Sequence, residues 1–239
     1  MHRFERLIKK TCKPKTIVLT GAGISADSGL KTFRDSDGLW ENHRIEDVAT
    51  PQGFINNPSL VYQFYNERRK ALHDVSPNDG HYTLKKLEDF LENQFLLVTQ
   101  NVDDLHERAG SQRLMHIHGE LLKARCLSCA EVFSWTQDLG ASSSCPNCYG
   151  RLRPDIVWFY EEPFFLDEIF EELNQCEVFI SVGTSGNVYP AASFSEIAKG
   201  VGALTIEINP NETSKSFDIK IPKKTPEAMK EIFKFLQIE

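Results

Sequence analysis

Thr16-Ile-Val-Leu-Thr20 runs directly into Gly21-Ala22-Gly23-Ile24-Ser25-Ala26, and this stretch decides the fold. The first five residues are β-branched or apolar and too few for a helix, so they read as a buried strand. Gly21 and Gly23 turn the chain, and Ser25-Ala26-Asp27-Ser28 reads as the start of a helix. A strand, a glycine turn and a helix start are how α/β proteins hold a pyrophosphate. Glycine admits close backbone approach, and free N–H groups at the helix start point at the anion. The spacing is G-x-G-x-x-A, the weaker form of the dinucleotide fingerprint, and a strand–turn–helix without a ligand fits it too.

Outward from this turn, residues 95–99, 155–159, 178–182 and 203–208 read as further strands. Helices are expected over 3–10, 81–93, 164–174 and 226–236, and from Asn57-Pro58, an N-cap followed by proline at the first helical position. Polar or glycine-rich residues follow four apolar strands: after Thr20, Gln100-Asn101-Val102-Asp103 after Thr99, Gly183-Thr184-Ser185 after Val182, and Asn209 after Ile208. In an open parallel sheet ligands bind beyond the carboxyl ends of the strands, so these segments can line one crevice. The fold class is therefore α/β, a Rossmann-like doubly wound parallel sheet. An ordinary dehydrogenase carries an acidic residue about 20 residues after the glycines. Here that region is an irregular loop, residues 29–51, in which Phe33 and Trp40 read as core plugs or Phe33 as a cover over a ligand. Asn209 is the candidate for ribose recognition.

The 239 residues suffice for one large domain, or one large and one small. A net charge of −7 argues against a broad surface for nucleic-acid phosphates. No leader-like apolar core and no bilayer-length apolar run is present, so a cytoplasmic protein without membrane contact is expected. Cys126-Leu-Ser-Cys129 and Cys145-Pro-Asn-Cys148 are separated by fifteen residues, the two-knuckle spacing of a four-thiolate zinc site. Four sulfurs leave no open position, so the zinc is expected to be structural. Cys12 and Cys176 are left over and read as buried or inert. Few basic residues (Lys123, Arg125, Arg151, Arg153) surround the ribbon, which disfavours nucleic acid. The expected division is a dinucleotide-binding domain over 1–30, 80–122 and 153–239, a loop and helical insertion over 31–79, and a zinc ribbon over 123–152.

On the helix opening at Pro58, Val61, Phe64, Tyr65 and Leu72 mark an apolar stripe, and Arg68 falls on it. A charge on a core-facing stripe needs a partner. Tyr65 and Arg68, three apart, project together and could hold a carboxylate. The alternative is that Arg68 snorkels or pairs with an internal acid. His118, before Gly119, is a candidate general base, and His116 is an equally placed alternative.

Gly21-Ala-Gly-Ile-Ser-Ala-Asp-Ser-Gly29, Thr32-Phe-Arg34, Gln100-Asn-Val-Asp103, His118-Gly119, the four cysteines, Val157-Trp-Phe159 and Gly183-Thr-Ser185 together resemble the sirtuin family of NAD-dependent protein lysine deacylases. The resemblance runs from about Ile17 to Asn209, with every motif in family order. It implies a Rossmann-like domain and a small domain of zinc ribbon plus helical insertion, with NAD and acyl-lysine entering the cleft from opposite sides. It assigns to NAD the residues Gly21, Ala22, Gly23, Ile24, Ala26 and Asp27 and the loop to Trp40 that carries Phe33 and Arg34. Asn101, Val102 and Asp103 would line the nicotinamide pocket, with Asn101 also catalytic. Gln100 and His118 would face the nicotinamide ribose. Gly183, Thr184 and Ser185 would line phosphates and adenosine, Asn209 the adenine ribose, and Ile221 the adenine through its backbone. Val157 and Phe159 would meet the substrate peptide.

In the implied reaction the acyl oxygen attacks ribose C1′ and nicotinamide leaves. His118 then takes a ribose hydroxyl proton, that hydroxyl attacks the acyl carbon, and free lysine and 2′-O-acyl-ADP-ribose result. NAD is thus consumed. Tyr65-Asn-Glu-Arg68 matches the Tyr-x-x-Arg motif of the branch that removes succinyl and malonyl groups, and acetyl removal is expected as well. Two places depart from the family pattern: Phe159-Tyr160-Glu161, where Phe-Gly-Glu is frequent, and Lys220-Ile221-Pro222 before the last helix. The competing expectations are a mono-ADP-ribosyltransferase on the same fold and a non-enzymatic zinc-ribbon binding module. The partners are acylated protein lysines, and a monomer is the default.

Overall fold

Five-residue apolar runs buried on both faces require helices above and below a parallel sheet, and the chain supplies them. The computed structural model describes residues 13–31, 39–40, 42–211, 213 and 215–236. The helix expected over residues 3–10, Cys12, Phe33 and Arg34 lie outside the described residues. In chain order the elements begin with β1 (Thr16–Thr20), β2 (Leu39–Trp40), β3 (His43–Arg44), α1 (Ile45–Val48), α2 (Pro51–Asn56), α3 (Pro58–His73) and α4 (Asp79–Leu91). They continue with β4 (Phe95–Thr99), α5 (Leu105–Arg108), β5 (Leu114–His116), β6 (Gly119–Cys126), β7 (Val132–Ser134) and β8 (Leu152–Ile156). The last are α6 (Leu166–Leu173), β9 (Val178–Val182), α7 (Phe194–Gly200), β10 (Leu204–Ile208), β11 (Ile219–Ile221) and α8 (Thr225–Leu236).

The large sheet runs β11-β10-β9-β1-β4-β5, with every neighbouring pair parallel. Numbered among its own strands and read from the β5 edge, this is the 3-2-1-4-5-6 order of the doubly wound dinucleotide-binding sheet. Side chains alternate between its faces. Val18 and Ile180 pack under Leu84, Leu87, Met229 and Ile232 of α4 and α8. Ile17, Leu19 and Phe179 pack on the other face under Ile169, Leu173 and Phe194 of α6 and α7. The order reverses between β1 and β9, and that switch point is where a crevice opens.

A second core joins α1, α2 and α3 to a separate antiparallel sheet, β7-β6-β8. Asn57 caps α3 by accepting from the Leu60 amide at 3.1 Å, with Pro58 at the first helical position. Three expectations are corrected. Residues 26–28 form a single 3₁₀ turn closed by Gly29 at φ 97°, not the first turn of an α-helix. Ser25 makes no capping bond there, because its hydroxyl is drawn to Asp103. The strand expected over 155–159 ends at Ile156 and belongs to the small sheet, so the sheet carrying the cysteines reaches from Gly119 to Ile156. Over its described residues the stretch 29–51 is less irregular than its composition suggests. It holds the β2–β3 pair and α1, and at its end Thr50 caps α2 by accepting from Gly53 N at 2.9 Å.

Candidate active site

The glycine turn after β1 and the one after β9 meet backbone to backbone. Gly23 N donates to the Gly183 carbonyl at 2.9 Å, and Gly21 N to the Val182 carbonyl at 3.0 Å. A Cβ on Gly23 would lie 2.7 Å from the Gly183 oxygen and 2.8 Å from its Cα. These glycines therefore serve first to let two strand-end loops touch at the switch point. The outer edge of the turn stays open: Gly23, Ala26 and Asp27 are exposed and Ala22 half-exposed. Asp27 pairs with Lys224 at 2.8 Å. Ile24 points the other way, into the main core.

The β4 end is the most tightly organised part of the site. Three consecutive carbonyls of its loop are each engaged from β5, β6 or the turn between them. Gln100 O meets His118 Nδ1 at 3.0 Å, Asn101 O meets His116 Nδ1 at 2.8 Å, and Val102 O accepts from Leu121 N at 2.8 Å. The His118 bond puts the ring proton on Nδ1, so the neutral ring carries its lone pair at Nε2. Burial holds the His118 pKa below the ordinary value, only partly offset by the Gln100 bond. At neutral pH the ring is thus an unprotonated base. His116 differs: its Nε2 meets Glu107 Oε1 at 2.7 Å, so both of its nitrogens are occupied. Gly119, at φ 81°, passes so close to β8 that a Cβ would sit 2.0 Å from the Asp155 carbonyl. The glycine after His118 is thus required where the chain crosses from the large sheet to the small one.

Under this loop Ser25 Oγ donates to Asp103 Oδ2 at 3.0 Å and accepts from Asn101 Nδ2 at 3.1 Å. His81 Nδ1 accepts from Asn78 N at 3.2 Å, so its Nε2 carries the proton that faces Ser25 Oγ at 3.4 Å. Asp103 is buried and its pKa is raised to about 6 by desolvation, against the Leu105 N–H and Ser25 bonds. Burial also holds His81 near a pKa of about 4. The residues sequence reasoning missed are therefore Ser25, as a side chain, and His81. His81 lies three before Leu84, on the apolar stripe of α4, and a histidine there is the available signal.

The segment after β8 joins this centre to the helical lobe. Val157 N donates to the His118 carbonyl at 2.9 Å, Trp158 Nε1 to the Tyr65 hydroxyl at 3.0 Å, and Phe159 N to the Ala49 carbonyl at 2.9 Å. Arg153 stacks 3.5 Å over Trp158 and holds Glu161 through two bonds of 2.6 and 2.8 Å. Tyr160 stands at φ 72°, 93% exposed, in the backbone region glycine favours. Tyr65 is fully buried, which pushes its hydroxyl pKa above the ordinary phenol value. Arg68 lies with its guanidinium 3.1 Å over Phe64 and 4.8 Å over Trp40, and its Nη1 donates to the Phe64 carbonyl at 2.6 Å. Trp40 thus packs on the Arg68 side, with the helical lobe.

At the far end Thr184 is buried, bonded to Ser181 at 3.1 Å, and its carbonyl accepts from Asn209 Nδ2 at 2.7 Å. Asn209 Oδ1 accepts from Asn211 N, so the Asn209 side chain ties the 183–185 loop to the turn that follows β10. The Ile221 carbonyl is likewise taken, by Asn209 N and Lys223 N. Gln100 and Thr184 line one narrow cavity with Ser181 and Ala192.

The Sγ atoms of Cys126, Cys129, Cys145 and Cys148 all lie within 4.8 Å of one another, with pairs at 3.4 and 3.7 Å. A tetrahedral zinc at the usual sulfur distance needs edges of about 3.8 Å, so the set fits. Amides of Ser128 and Cys129 point at Cys126 Sγ, as thiolate ligands in a knuckle require. Cys176 is buried, and its thiol is pushed up to about 12 by desolvation. Among the described residues no helix is long and apolar enough to cross a membrane.

A model described as the Sir2 family matches residues 21–190. A relative from Bdellovibrio bacteriovorus, named NAD-dependent protein deacylase, is 54% identical over 206 residues, covering 84% of this chain and 88% of its own. Another of that name, from Yersinia pseudotuberculosis, is 51% identical over 225 residues, covering 92% of this chain and 81% of its own. A solved complex of a Sir2 homolog with NAD is 40% identical, with a TM-score of 0.85, over 98% of this chain and 93% of that one.

Proposed function

The chain belongs to the Sir2 family, and on that premise we propose that it uses NAD to remove acyl groups from protein lysines, succinyl and malonyl as well as acetyl. The observation that carries the chemistry is the His118 ring, its Nδ1 tied to the Gln100 carbonyl and its Nε2 without a partner among the described residues. That nitrogen would take the proton of a ribose hydroxyl. NAD, when bound, supplies the glycosidic bond whose cleavage drives the transfer and leaves nicotinamide and 2′-O-acyl-ADP-ribose. The open glycine edge at residues 22–26 and the 183–185 loop would hold it along the switch point, and Asn101 and Asp103 would enclose its nicotinamide end. The four cysteines would hold one structural zinc.

The acyl range rests on α3. Tyr65 and Arg68 project from one face into the aromatic group of Trp40, Phe64 and Trp158. A carboxylate at the end of an acyl chain would be met there by a guanidinium and a phenol in a site of low dielectric. The segment 157–159 supports the assignment, since it bonds His118 on one side and Tyr65 on the other. The test compares kcat/KM of wild type and Arg68→Met on succinyl- and acetyl-lysine peptides. A charge-assisted bond is worth ~1.5–3 kcal/mol, so the variant is expected to lose roughly 10–100-fold more on the succinyl peptide. Equal losses on both peptides contradict the pocket assignment.

A further inference from the structure

Outside the base itself, the β4 loop is held by a second histidine whose environment demands an unusual protonation state. We propose that His116 is an imidazolium clamp, a positioning residue that ties the Asn101 carbonyl to the Glu107 carboxylate and so sets the nicotinamide end of the site. This rests on the proposal that residues 100–103 hold that end of NAD.

The ring lies between two acceptors: the Asn101 carbonyl 2.8 Å from Nδ1 and Glu107 Oε1 2.7 Å from Nε2. A neutral imidazole has one N–H and one lone pair, and would set a lone pair against one of those oxygens. Only the doubly protonated ring donates to both. Three elements bring charged or titratable groups to it. From α5 come Glu107 and the buried, neutral His106. From the β4 loop comes Asp103, which feels the ring's charge. From β6 comes Glu120, itself paired with Lys123. His116 itself ends β5, in register with Thr99. The balance of these groups is negative. Burial alone would lower the pKa of His116, but the Glu107 bond and charge win and hold it above the ordinary value.

The clamp has a mechanical consequence. Asn101 presents its carbonyl to His116 and its side chain to Ser25, two residues before Asp103. Losing the ring proton would set repulsion against one end of the clamp and loosen the loop that carries both side chains. It would also remove a positive charge that favours ionised Asp103. A raised folded-state pKa means the clamp is intact below that value and is lost as pH rises through it.

Two measurements on the full-length protein decide the matter. In ligand-free protein with ¹⁵N-labelled histidine, both His116 ring nitrogens are expected to give protonated, imidazolium-type resonances at about pH 6.5, where an ordinary imidazole is half titrated. One protonated and one bare nitrogen there overturns the proposal. Glu107→Gln is half-exposed at its carboxylate, touches no assigned NAD residue, and keeps an acceptor while removing the charge. It is expected to raise KM for NAD about threefold or more near pH 7, just above the ordinary imidazole value, with much less effect near pH 5 and kcat within about twofold. A pH-independent loss, or no change in KM at either pH, overturns it. Failure of the deacylase assignment shows separately, as wild-type protein that releases no nicotinamide, and leaves the resonance measurement decisive.

Discussion

At the residue scale, the proposed chemistry rests on a division of labour between two histidines. His116 and His118 are two apart and reach successive carbonyls of one loop, so spacing left them equivalent. What separates them is the other ring nitrogen: Glu107 takes that of His116, whereas His118 keeps a lone pair. Only tertiary structure brings Glu107 to the ring. Because burial lowers the His118 pKa, the base is lost only when pH falls through a value below ~6.5. The acid limb of kcat/KM should therefore have its midpoint below that value. A midpoint above it would contradict the assignment, and Asp103→Asn identifies any share of the limb due to Asp103, which titrates at about 6. Gly23→Ala is a second test. Its Cβ would meet Gly183 backbone at 2.7 and 2.8 Å, so the two loops must part. NAD affinity should fall by about tenfold or more, and the melting temperature should drop, as read by titration calorimetry and thermal unfolding. An unchanged affinity would show that the loop contact does not shape the site.

At the scale of elements, the four inner strands of the large sheet, β1, β4, β9 and β10, were legible because each is a mostly apolar run ending in polar residues, whereas the three-residue edge strands β5 and β11 are too short and mixed to show a period. The order of those strands was not written in any one of them; it follows from six parallel partners and two covering layers. The 3₁₀ turn at Ala26–Ser28 was misread for a physical reason. Ser25 looks like a helix cap, but Asp103, 78 residues away, competes for its hydroxyl and wins. Strand β8 was misplaced because its partner β6 lies beyond the cysteine knuckles, a pairing that local composition does not signal. The start of α3, by contrast, was fully local: Asn57 and Pro58 together specify it. Asn57→Ala should cost ~1 kcal/mol of unfolding free energy, read from the urea midpoint, with KM for NAD unchanged. A loss of several kcal/mol would mean that Asn57 does more than cap.

At the scale of the whole molecule, the two lobes are joined where His118 leads into the small sheet, and the cysteines sit at that sheet's far end. Zinc there would act on the site through structure, with all four ligand positions taken by sulfur. Purified protein should contain one zinc per chain, and a strong chelator should lower the melting temperature and abolish activity together. Full activity after metal loss would contradict a structural role. The central claim, that the crevice cleaves NAD to lift an acyl group from lysine, is tested most directly by mass spectrometry. A succinyl-lysine peptide incubated with the protein and NAD should lose the succinyl mass, with one nicotinamide released for each peptide converted. A peptide that gains ADP-ribose, or keeps its mass while NAD persists, would contradict the claim.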